Sequence, residues 1–221
     1  MQIFRPAMVL AVCLLNPASA KSSHRRRDVC DVQNNDAALD ACGMKKAFGG
    51  STVYPELLAN FSPKGALYVR YDNVVVGGAQ QLAPNRVSAK PSLSMHFIQG
   101  PQSMSSKKFA ALGIDYQPDG KLTKLFWLQP EMQVDRNTGA MTSTAAPIIP
   151  YKPPTPPQGT GTHEYVVLVF EEAGAGLSAF LAQNPHLKAL LSGSFNLEDM
   201  LAHTQLRNSL VAGSFFKSTH Q

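Results

Sequence analysis

Charge is scarce in this 221-residue chain: only 16% of its residues are charged. That composition excludes a coiled coil and a fully disordered polymer, and no glycine period of the collagen kind is present. No apolar run approaches the roughly 20 residues that a membrane-spanning helix needs, so no transmembrane segment is expected. Cysteine occurs three times. Cys30 and Cys42 stand twelve residues apart with no zinc-ligand spacing around them, so no metal is expected. There is no G-x-S-x-G elbow, no metal-ligating histidine pair and no phosphate-cradling glycine loop, so neither catalytic residues nor a cofactor are expected. What is present is 44% hydrophobic residues. At this length that suffices for a sizeable core.

The N-terminus reads as an export signal. Residues 1–20 carry one charge, Arg5, then the apolar run Met8–Leu15 and the small-x-small site Ala18-Ser19-Ala20. A secreted protein is expected. Cys13 leaves with the signal, and Cys30 and Cys42 are expected to form a disulfide in the oxidising compartment. Residues 21–35 form a basic lead-in containing Arg25-Arg26-Arg27. Cleavage after Arg27 is expected from three consecutive arginines in an exposed segment. Asn60-Phe61-Ser62 is a glycosylation sequon at Asn60.

This region also accounts for the net charge. The full chain carries +5. Without Arg5 it is +4, and without Lys21 and the three arginines fifteen bases face fifteen acids. The basicity belongs to targeting and processing residues, so nucleic acid is not an expected partner.

Residues 36–221 read as one domain, mostly β. Asp36–Phe48 is expected to be a helix, stopped by Gly49-Gly50. Leu67, Val69 and Tyr71 alternate with Ala66, Tyr68 and Arg70, and Leu93, Met95 and Phe97 alternate with Ser92, Ser94 and His96. Further strands are expected at 74–76, 122–128, 164–170 and 210–216, with residues 99–108 a loop and Pro118-Asp119-Gly120 a turn. Short helices are expected over 177–181, 185–191 and 197–206, the last capped by Asn196. Residues 147–157 hold six prolines. They are expected to form a rigid loop inside the domain, since the apolar strand that follows needs the earlier strands as neighbours.

The most distinctive stretch is Pro156-Pro157-Gln-Gly159-Thr-Gly161-Thr-His163-Glu-Tyr165. It resembles the P-P-x-G-T-G-x-H-R-Y signature of the phosphatidylethanolamine-binding protein family. Val53-Tyr54-Pro55-Glu56-Leu57-Leu58, Gly77-Gly78, Lys90-Pro91, Ser194-Phe195-Asn196-Leu197 and Val211-Ala212-Gly213 resemble other family segments in the same order. The resemblance implies a β-sandwich of antiparallel strands with peripheral helices. It also implies an anion pocket built from an aspartate in D-P-D-A-P, a second histidine on a following segment, and the His and Tyr of G-x-H-R-Y.

On that resemblance the ligand-binding candidates are His163, Tyr165, Tyr151 and Gly161, together with Gln129 and Glu131. Gln129-Pro130-Glu131 is matched to the acidic motif, so the orienting aspartate becomes an amide. No histidine follows before Tyr151, and the strand that would bear it is expected to be missing. Glu164 replaces the family's arginine and is expected either to repel an anion or to pair with Lys152. His163 is equally a structural histidine at a strand start, and for Tyr165 a place in the core is favoured. Two functions follow. A non-enzymatic module with a partly degenerate pocket acts through a protein partner, as a serine peptidase inhibitor or effector. Alternatively it binds a small anion or phospholipid headgroup.

Overall fold

The computed structural model describes residues 36–48, 51, 62–99, 104, 106–116, 123–195, 197–204, 206 and 209–220. The signal segment, the basic lead-in, Cys30, Asn60, the Pro118–Gly120 turn and Asn196 lie outside the described residues.

Helix α1 spans Asp36–Phe48. Ten strands follow: β1 Gly65–Tyr71, β2 Val74–Val76, β3 Gln80–Gln81, β4 Ser92–Phe97, β5 Phe109–Tyr116, β6 Thr123–Val134, β7 Ala140–Thr142, β8 Thr162–Glu171, β9 Ser194–Phe195 and β10 Leu210–Thr219. A 3₁₀ turn covers Pro84–Val87, and helices α2 Leu177–Gln183, α3 Pro185–Leu190 and α4 Leu197–His203 separate β8 from β10. The strands join in one sheet in the order β2-β1-β4-β7-β6-β5-β8-β10-β3, with β9 on β6. Pairing is antiparallel throughout except between β10 and β3.

The sheet folds back on itself into two facing layers. Leu67, Val69 and Tyr71 of β1 and Leu93, Met95 and Phe97 of β4 share a core with Phe109, Ala111, Tyr165, Val167, Val169 and Phe216 from the opposite layer. This is what the alternation in β1 and β4 encodes, since each presents one apolar face inward. The outer face of β5, β8 and β10 makes a second core, in which Leu112, Ile114, Leu168, Phe170 and Phe215 meet Phe48 of α1, Leu177 and Leu181 of α2, and Met200 and Leu201 of α4. Antiparallel strands with peripheral helices are thus the observed architecture, as expected.

Strand β5 has no counterpart among the expected strands. It is the centre of its layer, bonded to β6 on one side and β8 on the other. With both faces covered, seven of its eight residues are buried. Its register with β6 slips between Gly113 and Ile114. A Cβ on Gly113 would stand 2.7 Å from Phe126 Cζ, so glycine lets the Phe126 ring lie against the backbone.

The Pro-rich segment is a strap laid along β6. Ile148 and Ile149 donate to Leu128 O, Leu128 donates to Ile149 O, and Lys152 donates to Phe126 O at 2.8 Å. Among the described residues no helix is long and apolar enough to cross a membrane.

Candidate functional site

Three adjacent strands, β6, β5 and β8, bring their inner-face residues together at one end of the sheet. Asp115 of β5 stands opposite Lys124 of β6 and Tyr165 of β8. His163 lies two residues before Tyr165 and therefore on the same face. His163 Nδ1 is 2.7 Å from Asp115 Oδ1. Its Nε2 is 2.7 Å from Thr160 Oγ1. Thr160 in turn donates to Pro157 O at 2.7 Å. A hydroxyl carries a single proton, so Thr160 accepts from Nε2 while Asp115 accepts from Nδ1. Both ring nitrogens are thereby engaged, which fixes the orientation of the imidazole. His163 is 1% exposed and Asp115 18%. The turn that sets Thr160 in place depends on Gly159 at φ +81° and Gly161 at φ +78°, backbone that glycine adopts without strain.

Beside this pair lies a cavity of about 370 Å³, within the size range of small-ligand sites. Asp115 and Tyr165 form its floor, Leu125 and Phe126 a wall, and the strap residues Pro153 and Pro154 another. Lys124, Lys152, Thr155, Ser192 and Gly193 complete the lining, both lysines being exposed. The Tyr165 hydroxyl is buried and has no hydrogen-bond partner in the protein. Burial first, and then the Asp115 carboxylate, holds it protonated far above the ordinary phenol range. It is therefore a protonated donor in the cavity lining, with the Asp115 carboxylate as its neighbour.

The expected candidates divide on this geometry. His163 and Tyr165 sit together with rings stacked at 6.2 Å. His163 is masked from the cavity and acts as a support, whereas Tyr165 lines it. Gly161 is exposed and shapes the Thr160 turn rather than the cavity wall. Tyr151 turns into the core, where its hydroxyl donates to Val87 O at 2.6 Å. Its ring packs edge-on against Phe126 and Trp127, and burial pushes its pKa up to about 12.

Gln129 and Glu131 do not join the site. Gln129 stands opposite Ala111, which is opposite Val169, six residues along β8 from His163. At the rise of an extended strand that is about 20 Å. Its amide is spent on Pro130 O and Ala145 O. Glu131 has φ +54° and pairs with Lys108 at 2.6 Å. The orienting carboxylate is therefore not lost; it is Asp115, one strand earlier than the sequence match places it. The signal was Asp115-Tyr-Gln-Pro118-Asp119, an acid, a proline and an acid following an unrecognised strand. Nor is the next strand missing. It is β6, which carries no histidine and offers Lys124, Leu125 and Phe126 to the cavity.

Glu164 is likewise corrected. It is buried on the opposite face of β8, where it accepts from Ser51 Oγ and lies 3.3 Å from Lys217 Nζ. It neither repels a ligand nor meets Lys152. Cys42 is buried on α1. No group of three or more His, Cys, Asp or Glu among the described residues is placed to hold a metal ion.

The sequence profile of the phosphatidylethanolamine-binding protein family matches residues 81–216, more than half of the chain. The chain belongs to that family. Solved family structures agree in fold. A carboxypeptidase Y inhibitor complexed with its cognate proteinase is 18% identical, with a TM-score of 0.67 over 83% of this chain and 98% of the inhibitor. A phosphatidylethanolamine-binding protein from Plasmodium vivax is 11% identical, with a TM-score of 0.56 over 80% of this chain and 98% of that one. No curated protein sequence matches the chain. Within the family signature, Pro157, His163 and Tyr165 thus acquire definite places: a carbonyl that accepts from Thr160, a buried partner of Asp115 and a residue of the cavity lining.

Proposed function

We propose that this chain is an exported, non-catalytic member of the family whose cavity takes a small ligand bearing a phosphate-like anion, such as a phospholipid headgroup. The observation that carries this reading is the cavity itself, lined by the buried phenol of Tyr165 and by Lys124 and Lys152, with Asp115 as its one carboxylate. An anion there accepts from the phenol and from two ammonium groups. The Asp115–His163 pair fixes the floor, so little ordering is left to be done on binding. Calorimetric titration with phosphoethanolamine and with inorganic phosphate tests it: heat that saturates supports the reading, and its absence at millimolar ligand removes it.

A second reading is inhibition of a peptidase. It is supported by the shared fold with an inhibitor captured on its proteinase. Slowed turnover in a panel of purified peptidases, serine enzymes included, is the measurement that separates it from the first. Export by residues 1–20, trimming after Arg27, a Cys30–Cys42 disulfide and glycosylation at Asn60 belong to the same proposal, since each presupposes passage through a secretory compartment.

A further inference from the structure

A second surface lies on the β2-β1-β4-β7 layer, on the side that faces away from the core. Leu67, Val69 and Tyr71 point inward from β1, so Tyr68 and Arg70 point outward. The pairing sets Arg70 between Val75 of β2 and Ser92 of β4. One row along, Tyr68 faces Ser94, which in turn faces Ala140 of β7. His96 follows on β4 and meets the Tyr68 ring edge-on at 5.3 Å. Arg70, Ser92 and His96 are exposed. Val75, at 41%, is one of two exposed large hydrophobics among the described residues. None of these side chains lines the cavity.

The rim of this face is a braced turn between β6 and β7. The Asp135 carboxylate accepts from Asn137 N at 3.0 Å and from Thr138 N and Thr138 Oγ1 at 2.8 Å. Gly139, at φ +72°, packs the turn on β4. Met95 N donates to Gly139 O at 2.8 Å, and a Cβ on Gly139 would stand 3.0 Å from His96 Cδ2. The turn thus holds the exposed Arg136 at the His96 end of the face. Among the described residues neither Arg70 nor Arg136 makes an ion pair. Asp135 is spent on its own turn, and Asp72, in the β1–β2 turn, pairs with neither arginine among the described residues. No outward position on the four strands is acidic.

Two guanidinium groups without ion pairs, an aromatic ring and an exposed valine among small neutral side chains have the composition of a protein-binding surface. Arginine and tyrosine are enriched in such surfaces, and lysine and acids are depleted. A guanidinium meets a carboxylate through two parallel hydrogen bonds, a fit that lysine does not offer. A polyanion, nucleic acid or sulfated glycan, is met instead by a run of basic residues, and no lysine holds an outward position on these strands. The strands and the braced turn are ordered before any contact forms, so docking costs little conformational entropy. We infer that this face, anchored by Arg70 and Arg136, docks a protein partner that presents glutamate or aspartate side chains around an apolar contact to Val75. It stands independently of the headgroup reading: a ligand held in the cavity and a partner held here can each be lost without the other.

The test titrates the nitrogen-15-labelled full chain with a short acetylated peptide alternating glutamate and valine, and reads amide shifts by NMR. The same peptide with glutamine in place of glutamate, and dextran sulfate, are run in parallel. The expected result is saturating shifts at millimolar glutamate peptide, gathered on β1, β4, β7 and the Asp135–Gly139 turn, and weakened by salt because the attraction is screened. The glutamine peptide should leave those amides unmoved. Arg70→Gln combined with Arg136→Gln is expected to lower the affinity about tenfold. Both positions are exposed, so the remaining amide spectrum should stay that of the folded parent. Val75→Ser is expected to weaken binding a further few fold, roughly the worth of its lost apolar contact. Absence of shifts at millimolar peptide overturns the proposal, as do shifts gathered on other elements. Binding that ignores the double substitution, or a glutamine peptide that binds as well as the glutamate one, overturns it too. Dextran sulfate that moves the same amides at lower concentration than the peptide makes the face a polyanion site and overturns the protein partner.

Discussion

His163 Nδ1 lies 2.7 Å from Asp115 Oδ1, a bond between the start of one strand and the end of its neighbour. It closes the end of the sheet, and Tyr165 stands beside it in the cavity lining. The proposed function divides structural and binding roles between His163 and Tyr165, and substitutions should separate them.

Asp115→Asn removes the charge from a hydrogen bond to a buried imidazole. The expected cost is roughly 1.5–3 kcal/mol of stability, the range for bonds to charged groups. Urea denaturation of the two proteins with equal m-values measures it. An unchanged midpoint would mean that the pair contributes nothing to the fold.

Tyr165→Phe should behave in the opposite way. The hydroxyl makes no well-aligned hydrogen bond in the protein and lies beside the Asp115 carboxylate, so its removal changes stability by no more than about 1 kcal/mol. Affinity for phosphoethanolamine should fall roughly three- to tenfold, the worth of one hydrogen bond. Calorimetry and a melting curve on the same sample distinguish the two effects.

Gly113→Ala drives a methyl group to 2.7 Å from Phe126 Cζ. The ring has to move, and it is a wall of the cavity. Overpacking of this kind costs roughly 1–3 kcal/mol, and headgroup affinity should drop with it. Retained affinity would show that the wall is soft.

Glu172 offers a pH test away from the cavity. Burial raises its carboxyl above the ordinary 4.5, with the Glu131 carboxylate adding to the shift. One oxygen accepts from Glu131 N at 3.1 Å and the other has no partner. The folded state therefore holds the proton to higher pH than the unfolded state. The stability this contributes is full below 4.5 and is lost as pH rises through the folded value. Glu172→Gln should be more stable than the parent at neutral pH, with the difference vanishing as the solution is acidified. Thermal melts across that window check the sign.

The proposed secretion makes a covalent prediction. The exported protein should begin at Asp28, and its Cys30 and Cys42 peptides should separate only after reduction. N-terminal sequencing that starts at Lys21 refutes trimming after Arg27. Two peptides carrying free thiols refute the disulfide.

What the sequence disclosed follows from how each element is covered. β1 and β4 show their core faces because one side meets the other layer and the other side is partly open, so polar residues mark alternate positions. α1 is readable from the glycine pair that stops it. β5 is unreadable for the converse reason. Phe109-Ala-Ala-Leu-Gly-Ile is buried on both faces, and a period-two signal disappears when neither face needs polar residues. Once β5 is passed over, the next proline flanked by polar side chains, Gln129-Pro130-Glu131, attracts the motif match, and Asp115 goes unnoticed. Glu164 was misplaced by the same limit: adjacency in sequence says nothing of which face a strand residue occupies until its partners are known.

The strap along β6 also decides how a polypeptide can approach. The outer edge of β6 is taken in succession by β9 at Thr123 and Lys124, by the strap at Phe126 and Leu128, and by β7 at Gln133 and Val134. Beyond Lys152 the strap offers four prolines in five residues, which have no amide to give. An incoming extended peptide finds no run of free backbone groups there to copy as an added strand. The two ends of the sheet that remain are β2 and β3, three and two residues long, too short to template one. Runaway strand-to-strand self-association is suppressed on the cavity side, and any protein partner there has to be held by side chains, one contact at a time.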